Sequence, residues 1–186
     1  MIAAPKERTI YNPIQKDKVT FIKTATETNY QYTLIRVELA PLGEVGLHYH
    51  KTYTEKFSVI QGELGITLGN TDILLNKGEA ATADRDILHR FYNPSKTETV
   101  IFETEIRPAS AGFERSLQIL YGLARDGKTN QRGIPKNILH LALLLELGES
   151  KLPGKYSVFE FILLQIAKVA RWLKVDRDLK KYYLSM

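Results

Sequence analysis

The chain of 186 residues contains no cysteine. This excludes a disulfide scaffold, thiol catalysis and any Cys-ligated zinc or iron–sulfur site, so a metal would have to be held by His, Asp and Glu. Long apolar runs are missing too. The run 138–147 is about half of the ~20 residues that a membrane span needs, and 156–175 is interrupted by Glu160, Gln165, Lys168 and Arg171. No internal repeat, low-complexity tract or nucleic-acid motif is present, so no nucleic-acid partner is expected. Residues 1–13 lack the apolar core of a secretion signal, and a cytoplasmic location is the expectation.

What is present describes a folded globular chain. With 44% hydrophobic and 25% charged residues and a mean hydropathy of −0.22, wholesale disorder and a polytopic membrane protein are both excluded. The length fits one domain, or one domain with an appendage. The formal charge of +5 is uneven: residues 151–186 hold 8 basic against 3 acidic side chains, whereas residues 1–110 hold 13 against 14. A basic tail of this kind either solvates the outer face of a helix or meets anionic lipid or other phosphates.

The pattern changes near residue 108. Before it, short runs rich in Val, Ile, Thr, Tyr and Phe predict strands over 19–24, 30–40, 46–50, 55–61, 63–68, 71–75, 79–83, 89–93 and 100–107. Short strands separated by Gly- and Asn-containing turns suggest a closed barrel or jelly roll. After Pro108 the period becomes helical. Phe113, Leu117, Leu120, Tyr121 and Ala124 mark a first helix closed by Gly127. A second is predicted from Pro135, in its first turn, to Gly148, and a third over 156–175. The expected organisation is a β-barrel over 1–108 and a helical extension over 109–186, packing on the barrel or at a dimer interface.

Three of the four histidines fall in one pattern. His48 and His50 are two apart, so on a strand they share a face. A short turn over 51–54 is expected to return Glu55 on a neighbouring strand, toward the same pocket. If the strand bearing His89 lies beside the first pair, three imidazoles and one carboxylate converge. Such a set suits one divalent transition-metal ion (Fe, Mn, Ni, Zn, Co or Cu) better than Mg or Ca, and four protein ligands leave two positions of an octahedral ion open. The alternative is four polar strand residues facing solvent, or the remnant of a lost site.

These residues resemble the cupin superfamily. Its first motif, G-x5-H-x-H-x(3,4)-E-x6-G, is met by His48, His50, Glu55 and Gly62, with Gly43 one place nearer to His48 than the pattern has it. Its second, G-x5-P-x-G-x2-H-x3-N, is met by Gly78, His89 and Asn93, but Asp84 stands at the proline and Asp86 at the second glycine. The resemblance covers about residues 30–107. It implies a mainly β fold, the double-stranded β-helix or jelly-roll barrel, here followed by about three C-terminal α-helices, and His48, His50, Glu55 and His89 as metal ligands. The helical end, with Phe113-Glu-Arg and Gly122-Leu-Ala-Arg-Asp-Gly-Lys, is similar to a subgroup of small bacterial cupin-domain proteins with a hydrophobic helical tail, which brings no activity with it.

Other residues have two readings each. Phe57, Val59 and Phe91 alternate in phase with Glu55 and His89, so they either fill the barrel or line a substrate pocket. Arg36 and Glu38 suit a barrel exterior, while an interior Arg would suggest an anionic substrate. Asp84 and Asp86 read as loop residues, or as groups at the barrel rim that orient a ligand histidine. Tyr49 should point away from the histidines, and His140 reads as structural. The third helix is apolar around most of its circumference, including Val158, Phe159, Phe161, Ile162, Leu164 and Trp172, which predicts a homodimer interface or, with Lys168, Arg171 and Lys174 beside it, a membrane surface bound through 156–186. Function is left between a metal-dependent enzyme of dioxygenase or isomerase type on a small molecule and a non-catalytic binder of a sugar or metabolite; no general base or nucleophile can be named. A peripheral membrane protein is the third reading.

Overall fold

The computed structural model describes residues 8–151 and 157–184. Strict alternation of buried and outward residues sets the sheet. In Thr33–Leu39 (β3) Thr33, Ile35, Val37 and Leu39 are buried while Arg36 faces out, and Val100–Arg107 (β10) alternates the same way. Side chains two apart on a strand share a face, so each such strand delivers a whole row to the interior.

Six strands form the larger sheet, in the order β1 (Thr9–Asn12), β2 (Asp17–Lys23), β3, β10, β5 (Thr54–Gln61), β8 (Ala80–Ala83). A three-stranded sheet faces it, with β6 (Leu64–Leu68) between β7 (Thr71–Leu75) and β9 (His89–Tyr92). The pairings between described strands are antiparallel. The two sheets close a jelly-roll barrel over Phe21, Ile35, Val37, Leu39, Phe57, Val59, Leu64, Ile66, Phe102 and Ile106, all at 4% exposure or less. Burial of each such side chain is worth ~1.5–3 kcal/mol, enough to fix the register that also aims the polar residues discussed below.

The predicted strands are present, with ends shifted by a few residues. Of 46–50 only Tyr49–His50 (β4) is a ladder strand, preceded by a single bridge at His48. β1 was not foreseen. Nor was Ser150–Lys151 (β11), which pairs antiparallel with β4 and brings chain from beyond the second helix to the strand that bears His50.

Four helices, not three, lie beyond the barrel strands: α1 (Ala111–Arg125), α2 (Ile138–Leu147), α3 (Ser157–Trp172) and α4 (Val175–Tyr183). Ser110 caps α1, its hydroxyl accepting from the Phe113 amide, and Gly127 follows the helix with φ +67°, as the C-terminal reading expects. Pro135 is not in α2. It bridges to Thr129, and the helix begins three residues on, where the Asn137 side chain accepts from the Leu139 amide. The break between α3 and α4 falls at Lys174 in the left-handed region, φ 63°, without the glycine or proline that would have announced it. The start of the predicted third helix, Tyr156, lies outside the described residues.

Helix α1 joins two cores. Phe113, Leu117, Leu120 and Tyr121 pack on the barrel, while Ile119 and Leu123 meet Leu143, Ala167, Ala170 and Leu179 of the other helices. Two polar side chains of the helix, through three buried hydrogen bonds, fasten it to the barrel. The Glu114 carboxylate accepts from the Ala25 amide and the Thr33 hydroxyl, both at 2.6 Å, and the Tyr121 hydroxyl donates to Asp17.

Candidate functional site

The barrel brings together the four residues singled out above. His48 and His89 form an antiparallel bridge, each amide donating to the other's carbonyl at 3.0 and 2.8 Å. The strand bearing His89 therefore does lie beside the first pair, and the ring centroids of His48 and His89 are 4.5 Å apart. His50 is 4.8 Å from His48 by the same measure. Glu55 arrives differently from expected. β5 is hydrogen-bonded to β10 and β8, not to β4, so Glu55 belongs to the larger sheet and reaches the histidines across the barrel. One ligand atom from each of the four residues lies within 4.8 Å of the others.

Hydrogen bonding aims the rings. The Nδ1–H of His48 donates to the Gly46 carbonyl at 2.8 Å, and that of His89 to the Ile87 carbonyl at 2.9 Å. A carbonyl can only accept, so Nδ1 carries the proton and the neutral rings present an Nε2 lone pair toward the centre. The two Glu55 oxygens lie 3.5 Å from His50 Nε2 and 3.3 Å from His89 Nε2. Two lone pairs facing a carboxylate repel unless a cation, a proton or a metal ion, sits between them.

The electrostatics agree. Burial lowers the His48 pKa to about 4, with His89 and His50 adding to the effect. Burial also lowers that of His50, against the pull of Glu55. For Glu55, burial opposes charge, but the His89 hydrogen bond and the three imidazoles outweigh it and hold the carboxyl at about 2. His89 moves up despite its burial because Glu55 favours its protonated form. One anionic group is thus stabilised beside two rings, His48 and His50, that are kept short of protons, while His89 shares its proton affinity with Glu55. Neutral imidazoles around a carboxylate are the charge state that metal ligation requires.

The donor set fits a transition-metal ion. Ligands held ~2.0–2.2 Å from a shared ion stand roughly 3–4 Å apart, close to the spread seen here. Nε2 of His50 is buried and makes no hydrogen bond. A buried ring nitrogen without a partner is costly in a native interior, and coordination of an ion would satisfy it.

Around this group the other predicted residues sort themselves. Phe57 and Val59 are buried in the barrel core, and Phe91 packs against Phe57 and Phe102 at 5.9 and 5.1 Å between centroids. The Phe57 ring is 6.2 Å from that of His89, so Phe57 borders the site from the barrel core. Arg36 and Glu38 are on the barrel exterior, paired with Glu103 and Lys18. Asp84 and Asp86 are exposed turn residues, and the Asp86 amide donates to the His50 carbonyl at 2.8 Å. Asp86 has φ 63°, so it takes up the left-handed backbone that the motif's glycine would. Asn93 is structural: its amide donates to the Leu39 and Glu98 carbonyls. Tyr49 and His140 are half-buried, and His140 stands on α2, in none of the contacts described here.

Sequence reasoning missed Tyr53. Its ring is stacked on His50 at 4.3 Å and 27°, and its hydroxyl donates to the Gly148 carbonyl at 2.9 Å. The signal was available, since Tyr53 extends the buried phase of Glu55, Phe57 and Val59 by one step. The Gly46, Ile87 and Gly148 carbonyls left no such trace, because a backbone acceptor has no residue type.

Comparison with known proteins agrees with this geometry. A family model described as a cupin domain matches residues 35–105. No curated protein matches the chain. Among solved structures, a Thermotoga maritima protein described as a predicted oxalate decarboxylase superposes with a TM-score of 0.51 at 19% identity, over 58% of this chain and 99% of that one. An RmlC-like cupin from Shewanella frigidimarina gives 0.49 at 15% identity, over 60% and 93%. KdgF from a Halomonas species gives 0.46 at 14%, over 52% and 82%. At these identities the likeness is one of fold. Residues 35–105 of this chain thus match a cupin domain and lie in a barrel of cupin topology.

Proposed function

We propose that this chain holds one divalent transition-metal ion through His48, His50, Glu55 and His89, and that it acts there on a small molecule by chemistry of the oxygenase or isomerase type. The observation that supports the reading is the inward-facing Nε2 set around one buried carboxylate, with His50 Nε2 left without a partner. When bound, the ion supplies Lewis acidity and open coordination positions. The protein's own part is positional. The Gly46 and Ile87 carbonyls hold two rings in the ligating tautomer, and Tyr53 braces the third. Phe57, Val59 and Phe91 bound the substrate pocket on its inner side and exclude water there. His48, half-buried where the other three are buried, marks the side from which a small molecule enters.

A second reading, a non-catalytic binder of a sugar or metabolite, has one observation in its favour. Among the described residues the other buried carboxylates, Asp17 and Glu114, are engaged with Tyr121 and with Ala25 and Thr33, so neither is a second acid or base for the site. Elemental analysis of protein purified from its native host, followed by a metabolite screen, tests both. One ion per chain in the wild type and almost none in Glu55→Gln or His50→Ala is the expected result. Equal metal content in all three removes the proposal. Turnover that disappears in the variants marks an enzyme, and ligand-dependent stabilisation without product marks a binder.

A further inference from the structure

The outward face of α3 has no cover among the described residues. The helix buries Ala167 and Ala170 and half-buries Leu163 and Ile166 against the other helices. On the opposite side Phe161, Ile162, Leu164, Val169, Trp172 and Leu173 are exposed, Trp172 at 80% and Phe161 at 69%. The side chains of Val158 and Phe159, expected to contribute to this face, lie outside the described residues. Scattered apolar residues need no explanation, but six within thirteen positions, two of them large aromatics, make a contiguous patch.

The charges near it decide what it fits. Arg171 is tied to Glu146 and Lys180 to Asp176. Lys168, Lys174, Arg177 and Lys181 are exposed, and between residues 161 and 184 the one exposed carboxylate is Asp178. A second copy of this face, brought up by a two-fold axis passing near Lys168 and Trp172, would set these cations against themselves. An anionic lipid surface offers what is missing, since it takes apolar side chains below the headgroups and cations at their level. No helix among the described residues is long and apolar enough to cross a membrane, so α3 would lie in the interface plane.

We infer that α3, with the cations of the α3–α4 turn, is a docking surface for anionic lipid bilayers. The chain's single tryptophan is Trp172, so its emission reads the face directly. The full chain is mixed at low salt with phosphatidylcholine vesicles, with or without about one-third phosphatidylglycerol. The expected result is co-sedimentation and a blue shift with the anionic vesicles, neither with the neutral ones. The double variant Lys168→Glu, Arg177→Glu, both changes on exposed side chains, should keep its circular dichroism and bind on the order of tenfold more weakly. Protein that stays in the supernatant with unchanged emission overturns the inference. Equal binding to neutral vesicles overturns it as well. So does a lipid-free blue shift that grows with protein concentration alongside a doubled mass, which would give the face to a second copy.

Discussion

The Tyr53 ring lies stacked on the His50 imidazole while its hydroxyl donates to the Gly148 carbonyl, so one side chain touches both a candidate metal ligand and the C-terminal end of α2 in the helical extension. β11 reinforces the link by pairing Ser150 with His50. Tail and site are therefore mechanically joined. Tyr53→Phe keeps the stack and loses the hydrogen bond, for an expected loss of about 1 kcal/mol in denaturant unfolding and little change in metal affinity. Tyr53→Ala removes the brace too, and should cost ~3–5 kcal/mol and weaken metal binding roughly 10-fold or more. Isothermal titration separates the two effects, and unchanged affinity in the alanine variant would show that His50 needs no brace.

Metal removal should be visible in stability. A ligand that binds the folded state alone contributes about 2.7 kcal/mol at a free concentration a hundred times its Kd. Chelator-treated protein is expected to melt several degrees lower, and to recover on adding back one equivalent of ion. His89→Asn should melt at one temperature with or without the ion. A variant that still responds would place the ion elsewhere.

Asp17 supplies a pH prediction remote from the metal ligands. Burial pushes its pKa from 3.8 to about 7, against the favourable Tyr121 hydrogen bond. The folded state thus holds the proton more tightly than the unfolded chain. Its contribution is full below the unfolded pKa, declines as pH rises from about 4, and is gone above about 7. At 1.36 kcal/mol per unit, the decline is on the order of 4 kcal/mol. Asp17→Asn keeps an acceptor for Tyr121 and cannot ionise. Its melting temperature relative to wild type should therefore be near zero at pH 4 and rise toward pH 8, and a difference independent of pH would refute the assignment.

Two turn positions should respond oppositely to substitution. Asp86 is held at φ 63°, a conformation that costs a non-glycine residue ~1–2 kcal/mol, so Asp86→Gly is expected to be neutral to stabilising by up to about 1 kcal/mol. Gly62 has φ +81°, and a Cβ there would stand 3.2 Å from Val100 Cα. Gly62→Ala should lose about 1–3 kcal/mol. Equilibrium unfolding of the pair tests both signs.

The local sequence determined a good deal. Period-two alternation placed nearly every barrel strand, and the spacing of His48, His50, Glu55 and His89 named a group that the fold does bring within 4.8 Å. Those features are legible because burial acts on side-chain type at short range, and so leaves a periodic trace. Helix ends were less legible where backbone conformation decided them, as at Lys174 and Pro135.

The tertiary structure alone decided how the group is assembled. Glu55 meets the histidines from the opposite sheet, not from a neighbouring strand, because closing the barrel sets the two inner faces against each other. Ring tautomers rest on the Gly46 and Ile87 carbonyls, and β11 reaches β4 across about a hundred residues of chain. Contacts of that separation are fixed by the free energy of packing the whole chain and not by any run of neighbours, so no local pattern in the sequence records them.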